Sequence, residues 1–305
     1  MREFKSWETE LARNFKPMLA VKAPGDLSTL RYPLLVSPKL DGIRAVLLNG
    51  RLLSRTLKPI PNVFIRTEIE KCSFELEGMD GELIVGPPTG EGVFQRSTSG
   101  VMSRKGEPIF SFHVFDNMSF DKPYFERRPA MNLNYPYFVK VVSQHEVVGL
   151  ASLRYLEQFY LRLGYEGVIL RDPESFYKFG RSTLIEQALL KLKRFEDDEA
   201  TVVGFEEQMH NVNDKEKDER GYAKRSHKKA GLKGAGTLGA LVCESERFTD
   251  VFNIGTGFDE STRKHIWTHR THFWGRLVRF KFQRVGTTDA PRCPVFQGWR
   301  DKRDI

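Results

Sequence analysis

The stretch "SPKLDGIRA", Ser37 to Ala45, sets a lysine two residues before an Asp-Gly pair and an arginine two residues after it. The flanking runs "YPLLV" and "AVLL" are apolar and read as strands. Either the lysine decorates a surface hairpin with a solvated salt bridge, or its amine is held where a phosphate arrives. The segment alone leaves both open.

Outward from it the pattern stays strand-rich. Trp7, Leu11 and Phe15 recur every four residues and predict an opening helix. "LLNGRLL" predicts a second tight turn at Asn49-Gly50. Asn62 is a helix N-cap before Phe64, Ile65 and Ile69. Strands are expected at "GELIVG", "IFSFHVF", "EGVILR" and "ALLKLKRF", and a helix over 146–163, stopped by Gly164. "RFEDDEA" reads as a polar joint. Beyond it come "TVVGFEE", "TLGALVCES", "TDVFNIGTGF" and "LVRFKFQRVG", with one helix near 259–270. Short strands with one helix predict a small barrel of the OB type. The expected organisation is α+β, with one domain over 1–196 and a barrel over 197–305. A long polar loop lies between the barrel's first two strands.

The 305 residues carry 48 Lys and Arg against 40 Asp and Glu, a net charge of +8. That excess, with a pI of about 9.3, favours a polyanionic partner. The N-terminus has charges from its second residue and no apolar core, so it does not read as a signal peptide. No apolar run is long enough to span a membrane. Cys72, Cys243 and Cys293 are odd in number and far apart, giving neither a zinc spacing nor a disulfide framework, as in a cytoplasmic protein. His265, His269 and His272 could gather on a helix, but no cysteine or carboxylate completes a metal site.

Charged residues recur at strand-like positions: Ser54-Arg55, "DGEL" at Asp80–Leu83, "FHVFD" at Phe112–Asp116, "EGVILR" at Glu166–Arg171 and "LKLK" at Leu190–Lys193. Singly, each is an ordinary solvated edge. In "EGVILR", however, a buried-looking run is bracketed by Glu166 and Arg171. In "LKLK", Lys191 and Lys193 share one strand face. Two such ammonium groups repel unless an anion sits between them, which suits a phosphate.

The ordered set K-x-D-G-x-R, S-R, D-G-E-L, F-D, E-G-V-x-x-R and L-K-x-K resembles the nucleotidyltransferase motifs of ATP-dependent DNA ligases, of the small phage or bacterial kind. The resemblance runs from about residue 34 to the C-terminus. It implies an adenylation domain of antiparallel sheets with flanking helices, followed by an OB-fold domain. It implies ATP and Mg²⁺ as cofactors, with Mn²⁺ able to substitute, nicked duplex DNA as partner, and a monomer. Lys39 would form the phosphoramide with AMP. Arg44 and Arg55 would contact the nucleotide or the nick phosphate. Glu82 would hold the ribose or a metal, Phe115 would stack on adenine, and Glu166 would serve the metal. Lys191 and Lys193 would grip the α-phosphate. Ser37 occupies the nucleotide-site position where the family often has glutamate. In the C-terminal "RCPVFQGWRDKRD", Arg300 matches the last motif's arginine, while the Asp-Lys pair that follows in the family is displaced.

The chemistry suits these residue types. A lysine attacks only when neutral, and its free pKa is about 10.4. Neighbouring cations and a metal favour the neutral amine. Carboxylates such as Glu82 and Glu166 are the hard donors Mg²⁺ prefers. Three alternatives are an mRNA-capping guanylyltransferase, an RNA ligase, and a non-catalytic nucleic-acid-binding protein. Against the first, this chain has "EGVIL" and "KLKRF" where that family resembles D-G-L-I-F and carries a Lys-Pro. Against the second stands the OB-like second half. The third predicts no covalent nucleotide. From Arg220 to Lys233 the run "RGYAKRSHKKAGLK" holds six Lys or Arg and no acid. Lys224, Arg225, Lys228 and Lys229 in it are the candidate DNA contacts.

Overall fold

The structure is a computed structural model that describes residues 15–131, 135–213, 215–217, 223–225, 231–283 and 289–300. The predicted opening helix lies almost wholly outside them. The chain divides after Arg194 into two compact units.

The first unit holds β1 (Val21–Lys22), β2 (Leu34–Pro38), β3 (Ile43–Leu48), β4 (Arg51–Ser54), β5 (Met79–Val85), β6 (Phe110–Asn117), β7 (Val139–Val141), β8 (His145–Val147), β9 (Gly167–Arg171) and β10 (Leu189–Lys193). They form two five-stranded sheets, ordered β1-β10-β9-β2-β8 and β4-β3-β5-β6-β7. Pairing is antiparallel except for β1 with β10 and β6 with β7. The Asn49-Gly50 turn forms as predicted, with φ of 52° and 69° at its two residues, the double left-handed geometry of a tight hairpin. "LDG" is different. β2 and β3 lie in separate sheets, so Lys39–Gly42 is a crossing between sheets rather than a hairpin. Gly42 is required there, because a Cβ would meet the Leu83 carbonyl oxygen at 2.3 Å.

The helix Val63–Glu70 is capped by Asn62, whose side-chain oxygen accepts from the Ile65 N–H at 2.9 Å. Ile65 and Ile69 bury its inner face. The predicted helix over 146–163 is shorter, Leu150–Arg162, because His145–Val147 pairs with β2 as a strand. Leu153, Glu157 and Tyr160 form its buried stripe. The Glu157 charge is met by Arg194 through two bonds of 2.6 and 2.5 Å. The helix Val93–Met102 has no counterpart in the sequence reading. Its inward stripe is Val93, Ser97 and Val101; the polar Ser97 breaks the apolar period, and its hydroxyl is satisfied by the Val85 N–H.

The second unit holds β11 (Glu196–Asn211), β12 (Lys215–Lys217), β13 (Ala223–Arg225), β14 (Leu232–Ser245), β15 (Phe248–Ile254), β16 (Leu277–Gln283) and β17 (Arg292–Trp299). Its main sheet is ordered β15-β14-β11-β16-β17. An isolated bridge between Thr256 and Val295 links the segment after β15 to β17, curling the sheet toward closure. The division after Arg194 falls inside "RFEDDEA", but that joint is not a loop: Glu196–Thr201 pairs along β16. The C-terminal segment is a paired strand as far as Trp299. The helix Glu260–Thr268 is capped by Asp259. Val278, Phe280 and Phe282 of β16 pack with Phe248, Phe252 and Ile254 in the core.

β12 and β13 pair antiparallel within the long polar loop. Lys224 and Arg225 lie on β13; Lys228 and Lys229 lie outside the described residues. Among the described residues no helix is long and apolar enough to cross a membrane. Nor does any group of three or more His, Cys, Asp or Glu among them have the geometry to hold a metal.

Candidate active site

The first unit contains a cavity of about 220 Å³ whose walls come from both of its sheets. β2, β9 and β10 contribute Ser37, Ile169, Arg171, Leu189 and Lys191. The other sheet contributes Arg44, Glu82 and Phe115, and Arg55 follows β4. Lys39 and Leu40 enter on the crossing itself. Of the residues singled out in the sequence, Ser37, Lys39, Arg44, Arg55, Glu82, Phe115 and Lys191 therefore line one space.

Local geometry explains each placement. The Lys39 N–H donates to the Gly167 carbonyl at 2.8 Å, pinning the crossing to β9. Its Nζ donates to Glu166 Oε2 at 2.5 Å. Lys193 bonds the other oxygen, Glu166 Oε1. Glu166, 4% exposed, thus bridges Lys39 and Lys193, a different pair from the Lys191 and Lys193 expected from "LKLK" to share an anion. Burial alone would raise the Glu166 carboxyl, but these two ammonium groups hold it below its ordinary value. Lys191 faces the cavity, and burial, with Lys193, Arg181 and Lys39 nearby, lowers its pKa.

Arg44 is gripped by Asp80, with Nε to Oδ1 and Nη2 to Oδ2 both at 2.6 Å. Nη2 also donates to the Met18 carbonyl, and the Tyr177 hydroxyl completes Asp80. The guanidinium carbon lies 4.4 Å from the centroid of the Phe115 ring. Phe115 sits at an irregularity where Asp80 faces Asp116 but Gly81 faces Val114. Such a bulge re-aims a side chain beside a site. Burial pushes the Glu82 carboxyl up to about 7, against the pull of Arg44 and Lys39. Arg55 is exposed at the cavity wall. Arg300 belongs to the second unit, where its Nε bonds Glu199 Oε1 at 2.5 Å; the residues after it lie outside the described ones.

Several contributors were not assigned roles from sequence. Asp116 is fully buried between Arg127 and Arg171, which outweigh burial and keep its carboxyl low. Arg171 also lies 4.2 Å from the Tyr124 ring centroid. Arg181, Leu19, Ala20 and Gln144 line the cavity from loops. Arg171 and Asp116 carried a signal, being charges inside apolar strand runs. Arg181 and Gln144 carried none.

For Mg²⁺, the donors fit in one manner only. Both Glu166 oxygens carry lysine bonds, and burial pushes the Glu82 carboxyl up to about 7. These two carboxylates suit an ion that arrives with phosphates and waters, the usual manner of Mg²⁺, rather than a cage of protein ligands.

A family model for the ATP dependent DNA ligase domain matches residues 17–193. The chain belongs to the ATP-dependent DNA ligases. A second model, of the DNA ligase OB-like domain, matches residues 231–300. Among solved structures, Chlorella virus DNA ligase-adenylate is 33% identical with a TM-score of 0.53, over 95% of this chain and 99% of that one. A structure from work on Lig E DNA ligases, concerned with DNA binding by a minimal scaffold, is 26% identical. Its TM-score is 0.69, over 93% of this chain and 99% of that one. No curated protein matches the chain. The protein is thus an ATP-dependent ligase acting on DNA, and the capping-enzyme alternative is not favoured.

Proposed function

We propose that Lys39 is the nucleophile of this ligase and that the cavity around it holds ATP. The observation that carries this is the Lys39–Glu166–Lys193 chain, whose Lys39 enters a cavity also lined by Lys191, Arg44, Arg55 and Glu82. In the first step the Lys39 nitrogen bonds the α-phosphorus, the bond to the β-phosphate oxygen breaks, and pyrophosphate leaves. Lys191 and Lys193 neutralise the α-phosphate, and Phe115 stacks on the base with Ser37 close by. Arg44, held rigid by Asp80, and Arg55 bind the sugar and phosphates, or the nick 5′-phosphate once AMP is on the enzyme. Glu82 takes the ribose or, with Glu166, a magnesium ion. When bound, Mg²⁺, or Mn²⁺ in its place, supplies charge neutralisation at the transferring phosphate. AMP then passes to the 5′-phosphate of nicked duplex DNA, and a 3′-hydroxyl displaces it. Arg300 serves the first step by meeting the departing phosphates. Lys224, Arg225, Lys228 and Lys229 bind DNA phosphates. The enzyme acts as a cytoplasmic monomer in DNA repair, replication or recombination.

Incubation with α-labelled ATP tests the core of this reading. The parent should acquire acid-labile AMP and Lys39→Ala none; Lys39→Arg, which keeps a cation on buried Glu166, should also acquire none while holding the parent's Tm within a few degrees. An adenylate on Lys39→Ala would refute the assignment.

A further inference from the structure

The Arg44 guanidinium carries N–H groups on three nitrogens, and the protein engages two of these nitrogens. Nε and Nη2 meet the two Asp80 oxygens, and Nη2 also donates to the Met18 carbonyl at 3.1 Å. Nη1 makes no hydrogen bond among the described residues, yet it is not sealed in as a buried orphan. It is the edge left for a ligand in the cavity that Arg44 lines. Tyr177 closes a ring of hydrogen bonds behind that edge. The Met18 N–H donates to the Tyr177 hydroxyl at 3.1 Å, the hydroxyl donates to Asp80 Oδ2 at 2.5 Å, and Arg44 joins Asp80 back to Met18. Burial and the Asp80 charge push the Tyr177 phenol well above its usual value, so it keeps the proton it donates. The Tyr177 ring is itself held, with the Phe15 and Phe179 ring centroids 6.3 and 6.4 Å away. The Leu19 N–H donates to Gly180 and the Ser182 N–H to Leu19, lacing the same two segments together. Leu19 and Ala20, next after Met18, line the cavity.

We propose that Tyr177 is a positioning residue for the reaction: its hydroxyl, through Asp80 and the Met18 backbone, fixes the angle at which Arg44 presents Nη1 to the sugar and phosphates of ATP. The inference rests on the reading above that this cavity takes ATP and that Arg44 binds it. Contact with the Phe115 face leaves the guanidinium free to turn against the ring. Arg44 and Asp80 alone could also turn together as a pair. The Tyr177 bond ties Asp80 Oδ2 to a third element, the segment after β9, and the Met18 carbonyl holds Nη2 from a fourth side. Asp80 is fully buried, so no water stands in for a donor that is lost. A group that acts by position depends on such supports, because small misplacements of it cost rate.

The test is the rate at which the full chain forms its covalent AMP adduct in a single turnover. Tyr177→Phe keeps the ring and leaves Asp80 both of its Arg44 bonds, so the fold is retained. It should slow adduct formation about 10-fold, the loss expected for one hydrogen bond to a charged group. Arg44→Lys keeps a cation for Asp80 but has no second edge to offer a ligand. If Tyr177 acts through Arg44, adding Tyr177→Phe to Arg44→Lys should slow the reaction by less than about 2-fold further. A full tenfold loss in that background, or a Tyr177→Phe rate equal to the parent's, overturns the proposal. Phe15→Leu separates the hydroxyl from packing, because it loosens the same aromatic cluster and leaves the hydroxyl in place. It should lower Tm and hold the parent's rate within about 2-fold. A loss of rate as large as that of Tyr177→Phe would make Tyr177 a packing residue and overturn the proposal; this comparison decides alone should Arg44→Lys fail to fold. A parent that forms no adduct at all would instead defeat the reading of the cavity on which this rests.

Discussion

Glu166 and Glu82 are two carboxylates in one site driven in opposite directions, Glu166 down by its lysines and Glu82 up to about 7 by burial. The shift of Glu82 has a consequence for stability. In the unfolded chain this carboxyl titrates at about 4.3, so the folded state binds its proton more tightly. That contribution is complete below the unfolded value and is lost as pH rises through about 7. In the nucleotide-free protein, Glu82→Gln should therefore flatten the fall of Tm across that window, measured by scanning calorimetry; an unchanged slope would mean that water or Arg44 solvates the charged form. Charges inside apolar strand runs are costly without a purpose, which singled out Glu166, Lys191 and Lys193, whereas Lys39 and Glu82 were legible only through the ordered set of motifs that resembles the ligases. Gln144 and Arg181 were illegible for the converse reason. A glutamine or arginine in a loop is ordinary, and only the fold brings them to a cavity whose other walls lie up to a hundred and more positions away.

The strands were read correctly wherever apolar runs were bounded by turn residues, as in β5, β6, β9 and β10. Failures came where pairing outranked local polarity. Glu196–Glu199 is acidic, yet it forms the start of β11 because β16 supplies its backbone partners. β17 carries Pro294 and Gly298 and has no counterpart among the expected strands, yet its Phe296 and Trp299 pack against the core of the second unit. Deleting 292–305 would therefore strip a sheet strand and confound any test of the last motif. Arg300→Ala is the cleaner variant: it should slow self-adenylation with ATP much more than sealing of a nick that already carries 5′-AMP, and equal loss in both assays would assign Arg300 to holding Glu199. The β9–β10 pair offers a backbone test. A Cβ on Gly167, at φ +154°, would lie 2.2 Å from the Leu192 carbonyl oxygen. Neither strand can retreat without breaking the Glu166–Lys193 bond, so Gly167→Ala should cost roughly 3 kcal/mol, lowering Tm by about 10 °C. A shift under about 2 °C would show that the pair yields freely.

At the scale of the molecule, the placement of charge on the two compact units bears on how a duplex is held. The net charge of +8 is spread over 48 basic and 40 acidic residues, so its local concentration matters more than its total. It concentrates in the loop between β11 and β14, where "RGYAKRSHKKAGLK" follows the acidic "NDKEKDE". A charged loop is usually only solvated surface. Three facts weigh the other way: the sign of the charge is segregated, the loop leaves a domain matched by the DNA ligase OB-like model, and loops of such barrels commonly bind nucleic acid. Contacts of this type go to phosphates and release counterions, each contributing about 0.9 to the slope of log affinity against log salt. If Lys224, Arg225, Lys228 and Lys229 each meet a phosphate, replacing all four with alanine should flatten that slope by about 3.6 and weaken binding to every nicked duplex alike. Self-adenylation should stay at the parent's rate, because no DNA takes part in it. A quadruple variant with the parent's affinity and salt slope would leave the loop as solvated surface and send the search for the DNA contact elsewhere on the two units.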